Sequence, residues 1–254
     1  MLYFTLNLEN NLGINGPFHT AFPNLPTALN LVILGLCILA AYLLGSFNTA
    51  VLVSKKMYSD DIRNYGSGNA GFTNVMRTYG KKAAIITFAG DAFKTILAIV
   101  IGWVFFGYTG GYITGLACMI GHVFPVFYHF KGGKGVVCFA LTLFMLDWRI
   151  FLIELALFVA IVLITKYISL GSVLCAASAP IFLSRLGVPI MGQSGYHPGI
   201  IIILLIAMSA LIIIKHIGNI KRIYKGTESK FKFKKSKPAE ETEEPSEDSS
   251  KNAE

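Results

Sequence analysis

PGIIIILLIAMSALIIIKH, residues 198–216, carries no charge from Pro198 to Ile214, before Lys215 and His216 close it. The hydrocarbon core of a bilayer takes roughly 20 apolar residues as a helix, and this stretch fits it. Working outward, six more stretches qualify, about 29–53, 83–107, 110–128, 135–147, 150–166 and 170–188. The sequence therefore predicts an all-α integral membrane protein, a seven-transmembrane-helix bundle. The fourth stretch is short and opens in glycine, so it is expected to tilt or to span only in part. Composition agrees: 54% of residues are hydrophobic and 14% charged, where soluble domains carry about 25% charged residues.

Basic residues orient the bundle, because Lys and Arg collect on the cytoplasmic side. Residues 1–54 contain neither. Lys55, Lys56, Arg63, Arg77, Lys81 and Lys82 follow the first span, Lys131 and Lys134 the third, Lys166 the fifth, and nine more lie between Lys215 and Lys237. With the N-terminus outside, only Arg149 and Arg185 fall on the outer side. The C-terminus is expected to be cytoplasmic. Three segments follow: an extracytoplasmic N-terminal extension at 1–28, a seven-helix domain at 29–228, and a basic-then-acidic tail at 229–254. The formal charge of +8 divides into +14 over residues 1–238 and −6 over 239–254. That acidic end lacks aromatics and reads as disordered. The first residues lack a basic n-region and do not read as a signal peptide. Cys37, Cys118, Cys138 and Cys175 sit in apolar runs and read as buried free thiols, with no metal spacing and no disulfide framework.

Two glycine-rich turns fall on the cytoplasmic side. Gly66-Ser67-Gly68-Asn69 is followed by Thr73, Asn74 and Arg77; the second is Lys131-Gly132-Gly133-Lys134-Gly135. Glycine lets successive backbone N–H groups converge, and an adjacent cation completes a phosphate cradle. Ser67, Asn69, Thr73 and Asn74 supply neutral donors, and Arg77 a planar fork suited to phosphate. The second turn lacks the Walker A spacing, so no nucleotide is implied. Ser169 and Ser172 lie at the same edge, where either caps the sixth helix or touches ligand. His216, Asn219, Lys221 and Arg222 lie within two helical turns and could face one pocket. Asp91 and Lys94, three apart in the second span, read as a structural ion pair. Glu154 has no partner legible in sequence. His122 and His129 read as structural groups beside Pro125.

GSGNxGxTNVxRxxGKK at Gly66–Lys82, GHxFPVFxxFKGGKG at Gly121–Gly135, SLxS at Ser169–Ser172 and HxxNIxRxxxGxE at His216–Glu228 stand in this order. In them the chain resembles the bacterial acyl-phosphate:glycerol-3-phosphate acyltransferases. The resemblance runs from about Tyr42 to Glu228. It implies transfer of an acyl group from acyl phosphate to the 1-hydroxyl of glycerol 3-phosphate, giving lysophosphatidate and phosphate in the first step of phospholipid synthesis. It implies no cofactor. It implies a bacterial inner-membrane location, catalytic roles for Ser67, Arg77, His216 and Asn219, and a structural one for Glu228; Lys134 is expected to join the catalytic set by holding the leaving phosphate. Substrate contacts fall to Gly66, Gly68, Asn69, Thr73, Asn74, Lys131, Gly132, Gly133, Gly135 and Ser172. The first turn is assigned to acyl phosphate and the second to glycerol phosphate. Arg77, Lys131, His216 and Asn219 are expected to hold glycerol 3-phosphate. Partners are these two substrates, the lipid bilayer and, transiently, the enzyme that makes the acyl phosphate, with no nucleic acid. Phe72 stands where the family usually has Ala, which crowds the first turn, and Ile217-Gly218 replace a more polar pair. A transporter of an organic phosphate is the reading from another class. It would put charge at the midplane and repeat its halves; here the polar groups sit at the inner edge. An acyl-CoA-dependent enzyme with an H-x₄-D pattern is disfavoured, since no His is followed by Asp at that spacing.

Overall fold

The computed structural model describes residues 16–22, 25–186 and 196–231. Among the described residues the chain forms helices and turns and no strand. The helices are α1 Pro17–Ala21, α2 Thr27–Ser46, α3 Thr49–Tyr58, α4 Phe72–Tyr79, α5 Lys81–Val123, α6 Val136–Leu146, α7 Trp148–Thr165, α8 Ile168–Leu186, α9 Pro198–Lys215 and α10 Ile217–Tyr224. Among the described residues, five helical stretches are long and apolar enough to cross a membrane: Thr27–Tyr58, Lys81–Tyr128, Trp148–Thr165, Ile168–Leu186 and Pro198–Lys215. Helix α6 is apolar but only 11 residues long, about 16 Å at helical rise and short of the roughly 30 Å core. Large apolar side chains such as Phe93, Ile164 and Ile203 point outward, as membrane-facing surfaces require.

The second and third expected spans are one 43-residue helical run, broken at Phe106 (φ −132°) and Gly107 (φ +62°). A straight helix would separate Ile99 from Gly115 by about 24 Å. Instead, a Cβ on Gly115 would lie 3.6 Å from Ile99 Cγ1. The run is therefore a hairpin, turned without a loop because Gly107 tolerates the left-handed angle. Its halves cross in backbone contact, and a Cβ on Gly102 would come within 2.2 Å of the Gly110 carbonyl oxygen. Small residues at such crossings let membrane helices approach. The main core packs the second half of this hairpin, with Tyr112 and Met119, against α6, α8 and α9.

The first expected span, 29–53, is two helices, because α2 stops at Ser46. The carbonyls of Gly45 and Phe47 turn to the Lys94 ammonium at 3.1 and 2.9 Å, and Asn48 restarts the chain by capping the Val51 N–H at 3.1 Å. The Asp91–Lys94 pair forms at 2.8 Å, as its spacing predicts. His122 Nδ1 stands 3.1 Å from the same ammonium. Glu154 has a partner after all, the Ser178 hydroxyl at 2.9 Å. The four cysteines are buried and unpaired.

At the N-terminal end, the Phe18 ring of α1 packs tilted against Phe105, with centroids 4.8 Å apart. At the other end, Phe231 N–H donates to the Lys166 carbonyl at 2.7 Å, so residues 229–231, assigned to the tail, pack on the bundle. Residues 1–15 of the expected extension and 232–254 of the tail, including its acidic end, lie outside the described residues. The Gly102–Gly110 crossing yields a direct test. Gly102→Ala should lower stability by about 1–3 kcal/mol through overpacking, read as a fall in thermal unfolding temperature in detergent.

Candidate functional site

The first glycine turn is built around Asn74. Gly66 and Gly68 adopt φ of +58° and +69°, angles that favour glycine. The Asn74 side chain accepts the Ser67 N–H at 3.0 Å and donates to the carbonyls of Tyr65 at 2.9 Å and Ile62 at 3.3 Å. The Gly68 N–H donates to the Tyr65 carbonyl. The N–H groups of Ser67 and Gly68 and the Asn74 amide are thus spent inside the turn rather than offered to the expected backbone cradle. The segment to Arg77 is also not all loop. Helix α4 starts at Phe72, which puts Thr73 and Arg77 four residues apart on one helical face. Phe72 does not crowd the turn; its ring packs edge-on against Phe88 at 6.1 Å.

The second turn differs from expectation in the same way. The N–H groups of Lys131, Gly132 and Gly133 donate to the carbonyls of Tyr128, Val123 and His122. Gly132 and Gly133 are there for close approach: a Cβ would sit 2.0 Å from the His122 carbonyl oxygen in one case and 2.1 Å from His122 Nε2 in the other. Gly135 alone of these three needs the left-handed angle, φ +81°, where α6 begins. The two turns touch. Arg63 Nη1 donates to the carbonyls of Tyr128 and Lys131 at 3.0 and 3.3 Å, and the Asn48 amide reaches the Ala70 carbonyl at 3.3 Å. Sequence reasoning counted Arg63 only as a topogenic charge; its pairing with Asp61 at 2.6 Å, two residues away, was the available signal.

The C-terminal segment closes the site. Glu228 accepts from Ser169 Oγ at 2.8 Å, Asn219 Nδ2 at 2.6 Å and Arg222 Nε at 2.7 Å. Burial works to raise its carboxyl, and these hydrogen bonds outweigh it, holding Glu228 below the usual range. With its amide nitrogen fixed, Asn219 turns its oxygen to Lys134 Nζ at 2.5 Å. Burial brings Lys134 down to about 8; Glu228 opposes this, and Arg222, Arg77 and Lys215 add to it. His216 is brought down to about 4 by burial and by Lys134, so it is neutral at pH 7. Its Nδ1 lies 2.8 Å from the Ile212 carbonyl. A carbonyl only accepts, so the proton sits on Nδ1 and Nε2 presents its lone pair. Ser172 caps nothing, since its hydroxyl bonds the Ile168 carbonyl within its own helix.

Two cavities adjoin here. The smaller, about 700 Å³, is walled by Arg63, Lys131, Lys134, Lys215 and Arg222 against the single carboxylate Asp61. The larger, about 1020 Å³, combines Arg77, Thr73, Ser172 and His216 with an apolar wall that includes Phe72, Phe88, Phe158 and Val162. Ser67, Asn69, Lys134, Asn219 and Arg222 line both. Gly68 and Gly132 line only the smaller, and Gly66, Asn74 and Gly135 only the larger. Gly133 and Lys221 line neither. The expected grouping of Arg77, Lys131, His216 and Asn219 is thus split, with Lys131 apart from Arg77 and His216.

The profile of the family described as glycerol-3-phosphate acyltransferase matches residues 35–226. The chain belongs to the glycerol-3-phosphate acyltransferase family. A curated relative of that name from Finegoldia magna is 44% identical, over 80% of this chain and 97% of its own. Another, from Thermoanaerobacter pseudethanolicus, is 40% identical, over 75% and 92%. Two crystal structures of PlsY, an integral membrane glycerol 3-phosphate acyltransferase, superpose well. Its glycerol 3-phosphate form has a TM-score of 0.70 and 35% identity, covering 78% of this chain and 96% of its own. Its lysophosphatidic acid form has a TM-score of 0.68 and 33% identity, covering 78% and 95%. Within this family frame, Glu228 is the clearest structural test. Glu228→Ala strands three donors and should cost about 1–3 kcal/mol of stability, measured by thermal unfolding, with Glu228→Gln costing less because one amide oxygen still accepts.

Proposed function

We propose that the chain transfers an acyl group from an acyl phosphate to the 1-hydroxyl of glycerol 3-phosphate, releasing lysophosphatidate and inorganic phosphate. The observation that carries this reading is the shared front of the two cavities, where Lys134 and Asn219 face both. The smaller cavity, cationic and polar, suits glycerol 3-phosphate. The larger has a polar end with Arg77 and His216 and an apolar wall, the division a phosphorylated acyl chain requires. The structures of PlsY with glycerol 3-phosphate and with lysophosphatidic acid support the acceptor and the product.

An acyl phosphate is already activated, so the site has mainly to position and to stabilise charge. The glycerol hydroxyl oxygen attacks the acyl carbon. The bond from that carbon to the bridging phosphate oxygen breaks, and phosphate leaves with the electron pair. Lys134 and Arg77 stabilise the leaving phosphate; Lys131 and Arg222 hold the acceptor's phosphate. The hydroxyl proton passes to His216 Nε2 or to a substrate phosphate oxygen, whose second pKa near 6 suits a base. Asn219 and Ser67 orient the reacting groups.

The site is read as cytoplasmic. The four site segments meet at one end of the bundle, so the chain between each pair must leave and return. The α5 hairpin, α6 with α7, and α8 with α9 supply those excursions; read with α2 as seven passes, the short α6 crossing only in part, they support an N-terminus on the outer side. The basic residues around these segments assign that end to the cytoplasm of a bacterial membrane. Residues 29–228 then form one catalytic unit.

Purified protein given acyl phosphate and glycerol 3-phosphate should release phosphate and form lysophosphatidate only when both are present, and acyl-CoA should not replace the donor. Uptake of glycerol 3-phosphate into vesicles without phosphate release would favour the transporter. Radiolabelled donor alone should leave no acyl group on Ser67; a trapped acyl-enzyme would replace direct attack with a covalent route. Lys134 binds anions only while charged, so kcat/KM should fall as pH rises through about 8, and Lys134→Arg should move that limb upward.

A further inference from the structure

Helix α10 carries a second face that the reaction does not use. At about 100° per residue, Asn219 and Arg222 share one side, and Asn219 is buried against the site. Ile217, Ile220 and Tyr224 follow i, i+3, i+7 spacing on the opposite side and are 46%, 40% and 93% exposed. Lys221 and Lys225 flank this stripe, both exposed. The helix begins two residues beyond Lys215, where the membrane-crossing α9 ends, so the stripe lies at the bilayer boundary. From Lys215 to Thr227 there is no acidic residue. Exposed apolar side chains beside lysines are the pattern of a helix lying in a lipid interface, and a tyrosine suits the headgroup level.

We propose that this face docks on the anionic lipid headgroups of the bilayer from which α9 emerges. Ile217, Ile220 and Tyr224 enter the interface, and Lys221 and Lys225 bind lipid phosphates. Because Asn219 and Arg222 ride on the same eight-residue helix, docking holds them against Lys134 and Glu228. Anionic lipid thereby steadies the site from behind without entering it.

The full chain, reconstituted into phosphatidylcholine vesicles with or without phosphatidylglycerol, tests this. The sequence has two tryptophans, so Tyr224→Trp is placed on a Trp103→Phe/Trp148→Phe background. Its emission should be blue-shifted and quenched by brominated phosphatidylglycerol, and less so in vesicles lacking anionic lipid. Solvent-like emission without quenching in both vesicles would overturn the proposal. A blue shift without quenching would do the same, by pointing to a protein contact such as a second copy. The activity arm rests on the proposed acyl transfer, whereas the fluorescence arm does not, so the two failures are distinguishable. Phosphatidylglycerol should stimulate the native chain, and Lys221→Gln/Lys225→Gln should lose that stimulation by about fivefold per lysine, with its rate in phosphatidylcholine alone unchanged. Unchanged stimulation in that variant, or equal stimulation of the native chain by inorganic phosphate, would sink lipid docking. Should the tryptophan replacements unfold the chain, Tyr224→Trp on the native background is used instead, read as the quenching it adds to that of the native chain.

Discussion

The Lys94 ammonium is the contact on which the rest is arranged. It is buried within the first half of the α5 hairpin and meets Asp91 at 2.8 Å, His122 at 3.1 Å and the carbonyls of Gly45 and Phe47 at 3.1 and 2.9 Å. A charge at this depth is tolerated only when so surrounded, and removing one partner of a buried ion pair typically costs about 3–5 kcal/mol. Its partners come from three places in the chain. The α2 carbonyls break that helix and send Asn48 toward the first glycine turn. His122, at the end of the hairpin, carries the carbonyl that receives the Gly133 N–H and the ring that only a glycine at 133 can approach. One cation thus fixes the end of α2, the return of the α5 hairpin and the register of the second turn.

The two glycine turns look alike in sequence and work differently. Gly66 and Gly68 supply backbone angles, and Asn74 consumes the donors that those angles present. Gly132 and Gly133 supply missing volume so that the segment can lie on the hairpin end. The N–H groups of Ser67 and Gly68 in the first turn, and of Lys131, Gly132 and Gly133 in the second, are all bonded within the chain. Lining the cavities are the side chains of Arg63, Lys131, Lys134, Arg77 and Arg222; backbone carbonyls hold Arg63 and Arg77, the Asn219 amide holds Lys134, and the Glu228 carboxylate holds Arg222. The glycines of both turns thus shape the chain so that cationic side chains line the two cavities.

Charge at the site is graded by burial. Lys134, deep between the cavities, is lowered to about 8, and His216 behind it is neutral with its lone pair outward. Glu228, nearby, stays ionised because three donors surround it. The Lys134–Asn219–Glu228 chain therefore runs from an ammonium through an amide to a carboxylate, and each member is oriented by the next. Ser169 joins it from α8, the one serine of its pair that reaches the carboxylate.

The all-helical membrane class, motif order and the Asp91–Lys94 pair were legible in the sequence, because membrane burial demands long apolar runs and an ion pair on one helix follows from spacing alone. Membership of the acyltransferase family was legible for the same local reason, in four short motifs. The loop-free hairpin at Phe106–Gly107, the break in α2 at Lys94's demand, the bridging Arg63 and the division of Arg77 from Lys131 were not. Each depends on groups well beyond one helical turn apart in sequence meeting in space, as when Lys94 finds Gly45 or Arg63 finds Tyr128. The sequence by itself determined which residues could carry charge and which could sit in lipid; the tertiary structure decided which N–H groups were spent on the chain and which side chains were left for a ligand, because hydrogen-bond partners are chosen by packing.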